Sequence, residues 1–281
     1  RTVIEPVAAS VCPHCKAYDF DLMQGGGHVE GWFINNEAKI ESVLRALERL
    51  ASPEVFREKY GCDQSPLLFA MGDGNHSLAT AKANWESRKA SLSAEEMANH
   101  PARYALVELE NVHDKGIIFE PIHRVLFNID AQKTLAWLQE RLASENGGCA
   151  TELFATKAEC DAAAAKAEGA DAHILPFVVK EGFVFFKVAK PVAQLEVGTL
   201  QSALDGMRKD IEGFSIDYIH GADVVLDLGC RENNMGFLLP PMEKDAFFRT
   251  VIFDGVLPRK TFSMGEANEK RYYLECRKIS K

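Results

Sequence analysis

Pro66-Leu67-Leu68-Phe69-Ala70-Met71-Gly72-Asp73-Gly74-Asn75-His76-Ser77-Leu78-Ala79-Thr80-Ala81-Lys82 runs from an apolar segment through a turn into helix-favouring residues. Leu67–Met71 predicts a short buried strand. Gly72-Asp73-Gly74 predicts a tight turn, because glycine tolerates positive φ and lets another group approach the backbone. A helix is expected from Asn75 or His76 to about Arg88. Polar groups then sit where a helix begins, with unpaired N–H groups and the positive end of the dipole. Such a start holds anions. Asp73 can hold a metal ion or accept a proton, and His76 can donate to a phosphate. The same residues also read as a plain helix start, with Asp73 or Asn75 as its N-cap. The stretch is neither a Walker loop nor a GxGxxG fingerprint.

Working outward, 281 residues suffice for a sizeable core in one or two domains. Hydrophobic residues make up 47% and charged residues 26%, the balance of a globular protein rather than a membrane-spanning one. The net charge of −9 argues against a nucleic-acid-coating protein, and no basic recognition helix is apparent. Seven scattered cysteines predict free thiols and a cytoplasmic location. Cys12-Pro13-His14-Cys15 has the spacing of a dithiol centre or of half a zinc site, and no second CxxC completes the latter.

Residues 1–28 read as irregular, with a sharp turn at Gly25-Gly26-Gly27, and His28–Ile34 as a strand. Glu37–Leu50 is the clearest amphipathic helix, with Ile40, Val43, Leu44, Leu47 and Leu50 on one face as a core-covering stripe. Ser93 and Glu96 predict a capping box on a short helix ending near Asn99. Tyr104–Glu110 and Gly116–Glu120 read as a hairpin with His113 and Asp114 at its tip. Residues 129–198 read as a small α/β unit: helices over 131–142 and 157–168, then a hairpin of His173–Val179 and Phe183–Val188. Helices are expected over 199–207, 222–228 and 243–254, and strands over 216–219, 235–239 and 270–279. Three segments follow: a core at 1–128 carrying the turn, an insert or lid at 129–198, and a segment at 199–281 returning to the core.

Gly72–Lys82 resembles the signature of the bacterial and archaeal DUF1015 family. Further segments agree in order: Tyr18–Met23 with Gly25–His28, His100–Glu108, Phe119–Arg124, Asp217–His220 and Leu257–Ser263. The Asp-Gly-x-His core of the turn also resembles the ParB/sulfiredoxin superfamily, whose members bind nucleotides and include kinases of free serine. That resemblance implies an α/β (α+β) fold with a mixed sheet. It implies phosphate binding by Gly72, Gly74, Asn75 and Ser77, with Asp73 and His76 acting on a metal or the reacting groups. In that superfamily arginine usually follows the histidine, and Ser77 stands there instead. Family members usually extend further at the N-terminus, so a sequence opening on Arg1 is expected to be part of a longer chain.

Two functions follow. The first is a nucleotide-dependent kinase of a small hydroxyl compound such as serine, using ATP or ADP with Mg²⁺. Asp73 would hold the metal, and His76, Arg124 and Lys260 would neutralise charge on the transferred group. His123 and His220 are further binding candidates, with His123 and Arg124 pointing to opposite sides of an extended backbone and one of them bracing a carboxylate. The second is a non-catalytic nucleotide- or metabolite-binding regulator using the same turn. The expected partners are a nucleotide and a small molecule, not nucleic acid or membrane. The candidate residues are expected to line one cleft at the helix start.

Overall fold

The computed structural model describes residues 2–169, 171–265 and 272–280. The fold is α+β. In chain order its elements are α1 (Ile4–Ala8), β1 (Lys16–Asp21), β2 (His28–Trp32), α2 (Glu37–Leu50), α3 (Pro53–Tyr60), α4 (Asn75–Lys89), α5 (Ala94–Asn99), β3 (Glu120–Phe127), α6 (Ala131–Glu145), β4 (Cys149–Phe154), α7 (Lys157–Ala167), β5 (His173–Val179), β6 (Gly182–Val188), α8 (Glu196–Asp210), β7 (Ser215–His220), α9 (Ala222–Gly229), β8 (Asn234–Phe237), α10 (Lys244–Asp254) and β9 (Phe262–Ser263). They fall into two compact units, Arg1–Asp114 with the chain end Glu266–Lys281, and Lys115–Gly265. No helix among the described residues is long and apolar enough to cross a membrane.

In the first unit β1 and β2 form a two-stranded antiparallel sheet, with Asp19 opposite Glu30 and Asp21 opposite His28. The glycine run makes its turn: Gly25 and Gly27 adopt φ of 67° and 97°, and the Leu22 amide donates to the Gly27 carbonyl at 2.7 Å. Helix starts follow local chemistry. The Asn36 side chain caps α2 and Ser52 caps α3, which has Pro53 in its first turn. Ser93 and Glu96 make the expected capping box on α5.

The second unit is a seven-stranded sheet in the order β4-β6-β5-β8-β3-β7, with β9 also on β3. Every pairing in it is antiparallel. Its strands thus come both from residues 149–188 and from the segments flanking them. β3 pairs with three strands, β7, β8 and β9, and its Val125 and Leu126 are fully buried. α8 buries Val197, Leu200, Ala203, Leu204 and Met207. Where α9 ends, a Cβ on Gly229 would stand 2.6 Å from the Gly236 amide nitrogen, so glycine permits that approach of helix to sheet.

Several expected elements take another form. Leu67–Met71 pairs with no strand, and Phe69 and Met71 are 53% and 41% exposed. An apolar run of five residues specifies burial only where a neighbouring strand offers a ladder. Tyr104–Glu110 and Gly116–Ile118 do not pair as a hairpin for the same reason, although Asn111 forms the turn, accepting from the His113 amide on its side chain and from the Asp114 amide on its carbonyl. The stripe of α2 is formed, but none of its residues is buried. Residues 1–28, read as irregular, contain α1 and β1. Of the tail expected as a strand, 272–279 has no strand structure, and residues 270 and 271 lie outside the described residues. That tail is held by side chains: Tyr18 Oη donates to Glu275 at 2.7 Å, and the Arg277 guanidinium lies over Tyr104.

Candidate functional site

The start of α4 lies in the first unit. Gly74 is its N-cap residue, with φ of 77° in the left-handed region, and no side chain caps the helix. The first helical bond runs from the Leu78 amide to the Gly74 carbonyl at 2.9 Å, so the amides of Asn75, His76 and Ser77 precede the helical ladder. The Asp73 carboxylate accepts from the Gly74 amide at 2.7 Å and so braces the turn rather than the helix. Residues 71–80 are all exposed, and a Cβ on Gly74 would meet nothing within 4 Å. The approach to these amides is open. α4 is held from its other side, where Trp85 lies 5.8 Å from the ring of the buried His100.

Glu110 brings negative charge to this turn. Partial desolvation, and then the carboxylates of Glu108, Asp114 and Asp73, push its carboxyl above the usual carboxylate range. Sequence reading missed Glu110 because it sits at the end of the segment taken for a strand. Among the described residues, one trio of metal-ligating groups has donor atoms within 4.8 Å of one another: Asp19, His28 and Glu30, on one face of the β1–β2 hairpin. The Lys16 ammonium bridges its two carboxylates, 2.5 Å from Asp19 and 3.0 Å from Glu30.

The second unit holds His123, Arg124, His220 and Lys260. On β3, His123 and Arg124 take opposite faces, as an extended backbone requires. His123 is 5% exposed, and its Nδ1 accepts the Leu239 amide at 3.0 Å, which places its proton on Nε2. Burial, and then the charges of Arg124 and His220, hold its pKa below the ordinary histidine value. Arg124 is fully buried. Its guanidinium donates to the carbonyls of Ile122 and Arg259 and to the Gln201 side chain, and it lies 5.0 Å from the centre of the Tyr218 ring. Burial lowers its pKa to about 10. The partners found for Arg124 are carbonyl oxygens, an amide and a ring face, rather than the expected carboxylate. They satisfy a buried cation through dipoles.

Register explains the grouping. Arg124 pairs with Tyr218 and Ile122 with His220 across β3 and β7, so these four share one face. The Tyr218 hydroxyl accepts from Arg259 Nε at 2.7 Å, and Arg259 also meets the Asp205 carboxylate at 2.6 Å. Asp205 in turn accepts from Gln201 at 2.9 Å. Lys260 follows Arg259 with φ of 56° and is exposed. His220, also exposed, has Nδ1 3.4 Å from Ser263 Oγ. The second unit therefore gathers Arg124, His220 and the Arg259–Lys260 turn, with His123 on the opposite face of β3, while the first keeps Gly72–Ser77 together. Tyr218 and Arg259 lay within segments that sequence reading had quoted. Gln201 and Asp205 carried no signal beyond helical spacing.

No curated protein matches the chain. Among solved structures it is similar to a conserved hypothetical protein from Pyrococcus furiosus, at 18% identity and a TM-score of 0.39. The match covers 57% of this chain and spans 61% of that protein's length. A family model described as a protein of unknown function, DUF1015, matches residues 1–207, so the chain belongs to the DUF1015 family.

Proposed function

We propose that the chain binds the phosphates of a nucleotide, ATP or ADP with Mg²⁺, at the start of α4, and transfers a phosphoryl group to a small hydroxyl compound such as serine. One observation carries the reading: α4 begins on a left-handed glycine with no side-chain cap, exposed, beside the Asp73 carboxylate. A helix start of this kind offers unpaired amides and roughly half a positive charge to an anion. The resemblance of Gly72–His76 to the ParB/sulfiredoxin turn supports the same ligand class.

Partial burial, and then the charges of Glu108, Asp114 and Asp73, raise the Glu110 carboxyl beside this turn, so Asp73 is the residue that would hold the Mg²⁺. Mg²⁺ supplies charge neutralisation on the phosphates when bound. Asp73 is assigned the metal and the orientation of the acceptor hydroxyl. The amides of Asn75, His76 and Ser77 hold phosphate oxygens, and His76 donates to the transferred group. Arg124, His220 and Lys260 enter the proposal as a separate basic group, and His123 as a buried ring on the opposite face of β3.

The test is nucleotide affinity by calorimetry, with phosphoryl transfer to serine and related hydroxy compounds, for wild type and Asp73→Asn. The expected result is transfer by the wild type and a loss of about a hundredfold in the variant, with a smaller change in affinity. Arg124→Lys and Lys260→Ala in the same assay decide whether the second cluster contributes. Binding without transfer to any acceptor leaves a nucleotide- or metabolite-binding regulator. Absence of binding removes both functions and returns the turn to a plain helix start.

A further inference from the structure

Cys12-Pro13-His14-Cys15 lies outside the site above and forms a defined local structure. Pro13–Cys15 is a 3-10 turn with Cys12 as its N-cap residue and Pro13 in its first position. The Cys15 amide donates to the Cys12 carbonyl at 2.9 Å. That bond closes one turn with a cysteine at each end, which brings the two residues together. The Cys15 side chain is near enough to lower the pKa of the Cys12 thiol. Both residues are half-buried, while Pro13 and His14 are exposed.

The surroundings treat the two sulfurs differently. The backbone of His14, the Cys15 side chain and the Cys15 backbone hold the Cys12 thiol below its ordinary pKa, and the Lys39 ammonium adds positive charge. Lys39 is anchored there because its Nζ donates to the Ser10 carbonyl. These contacts favour a thiolate on Cys12, while its neighbourhood to Cys12 and desolvation keep Cys15 protonated. The carbonyl of Cys15 accepts the Phe33 amide at 2.9 Å, which ties the turn to the end of β2. Elsewhere burial makes thiols inert: it pushes Cys149 up to about 11 and also raises Cys160. A zinc site at this turn would require further ligands, and among the described residues no third histidine, cysteine or carboxylate clusters with the two sulfurs.

We propose that Cys12 and Cys15 form a reversible dithiol–disulfide couple, in which Cys12 attacks a low-molecular-weight disulfide and Cys15 resolves the mixed disulfide. With glutathione disulfide, the Cys12 thiolate bonds to one sulfur and the S–S bond breaks. One glutathione thiolate leaves and takes a proton from solvent. Cys15 then releases its proton to solvent and attacks the Cys12 sulfur, expelling the second glutathione thiolate. Two electrons pass from the cysteine pair to the glutathione disulfide, and the products are one intramolecular disulfide and two glutathione thiols.

The experiment treats the native protein with glutathione disulfide at neutral pH, blocks remaining thiols with an alkylating agent, and maps each cysteine by peptide mass spectrometry. The expected wild-type product is a Cys12–Cys15 disulfide reversed by reduced dithiothreitol. Cys15→Ser should accumulate glutathione on Cys12 at least about threefold faster than on the exposed Cys230, the net gain when more thiolate outweighs its weaker nucleophilicity. Stable glutathione adducts on both cysteines of the wild type would overturn the proposal. So would equal rates at Cys12 and Cys230 in Cys15→Ser, or one equivalent of Zn²⁺ held by the pair against a chelator. The wild-type map requires no variant, so it decides the matter even if a substitution fails to fold.

Discussion

α2 in the first unit and α8 in the second carry the same kind of apolar stripe, yet only α8 buries it. Leu200, Ala203, Leu204 and Met207 of α8 are fully buried, whereas Ile40 and Leu44 of α2 are 43% and 53% exposed. The difference lies in what each helix is offered. α8 packs on α6 and β5, within a unit whose sheet has seven strands. α2 belongs to a unit whose sheet has two. A two-stranded sheet offers far less apolar surface to a helix than a sheet of seven. Periodicity therefore sets where a helix forms, and the strands around it decide whether its stripe becomes core.

The largest test of this contrast is a matched pair of truncations. Leu200→Ala is expected to cost about 3–4 kcal/mol in urea unfolding, through lost burial and a residual cavity. Leu44→Ala is expected to cost less than about 1 kcal/mol, because much of its side chain already faces water. Equal losses would show that α2 is covered in solution.

Next in size is a divergence with pH. His123 and His173 in the second unit are buried and hold their pKa below 6.5, burial being the first cause in both. As pH falls below 6.5 the unfolded chain binds protons that the folded unit refuses, so stability drops, by at most about 1.4 kcal/mol per pH unit for each histidine. His28 in the first unit behaves oppositely. Its hydrogen bond to Asp21 at 2.7 Å, with Asp19 nearby, raises its pKa above 6.5. Its contribution is fully present below pH 6.5 and is lost as pH rises through the folded value. Urea titrations from pH 7.5 to 5.5, with hydrogen exchange resolving the β1–β2 hairpin, should show the two units moving in opposite directions. His28→Asn should abolish the hairpin's response and leave the other unchanged.

The smallest effect uses the capping boxes, which both units possess. Thr156 caps α7 and Ser93 caps α5 with the same reciprocal contacts to a glutamate. Thr156→Ala should lower global stability by about 1 kcal/mol. Ser93→Ala should instead raise amide exchange within residues 94–99 and leave the global midpoint in place, as expected for a segment that opens locally. A global loss from Ser93→Ala would mean that the first unit unfolds together with the second.

What could be read in the sequence follows the same division. The helices at 37–50 and 131–145 were legible because apolar periodicity is a local signal, and the one at 75–89 because helix-favouring residues follow a glycine turn. The β5–β6 hairpin was legible because Lys180-Glu181-Gly182 separates two apolar runs. β3 was not read as a buried strand, because Pro121, His123 and Arg124 interrupt its apolar pattern. Arg124 becomes a core residue only through carbonyls and a ring supplied from distant segments. Leu67–Met71 and Tyr104–Glu110 failed in the other direction, since an apolar pattern cannot state whether a partner strand exists. At the candidate turn the glycine and the helix start were legible, while the carboxylate of Glu110 depended on how the chain returns past Asp73.

The placement of β3 also sets an order of events during synthesis. β5 and β6 are neighbours in sequence and can pair as soon as they emerge. β3 pairs with β7, β8 and β9, all beyond residue 210, and with none of the strands β4 to β6 that follow it first. β3, with its buried Val125 and Leu126, must therefore wait, unpaired, until the chain has been made past residue 215. Such long-range closure slows folding and leaves a sticky intermediate. The family match ends inside α8, before any of these partners. A polypeptide cut there would retain the β5–β6 hairpin but lack every strand that completes the ladder around Arg124.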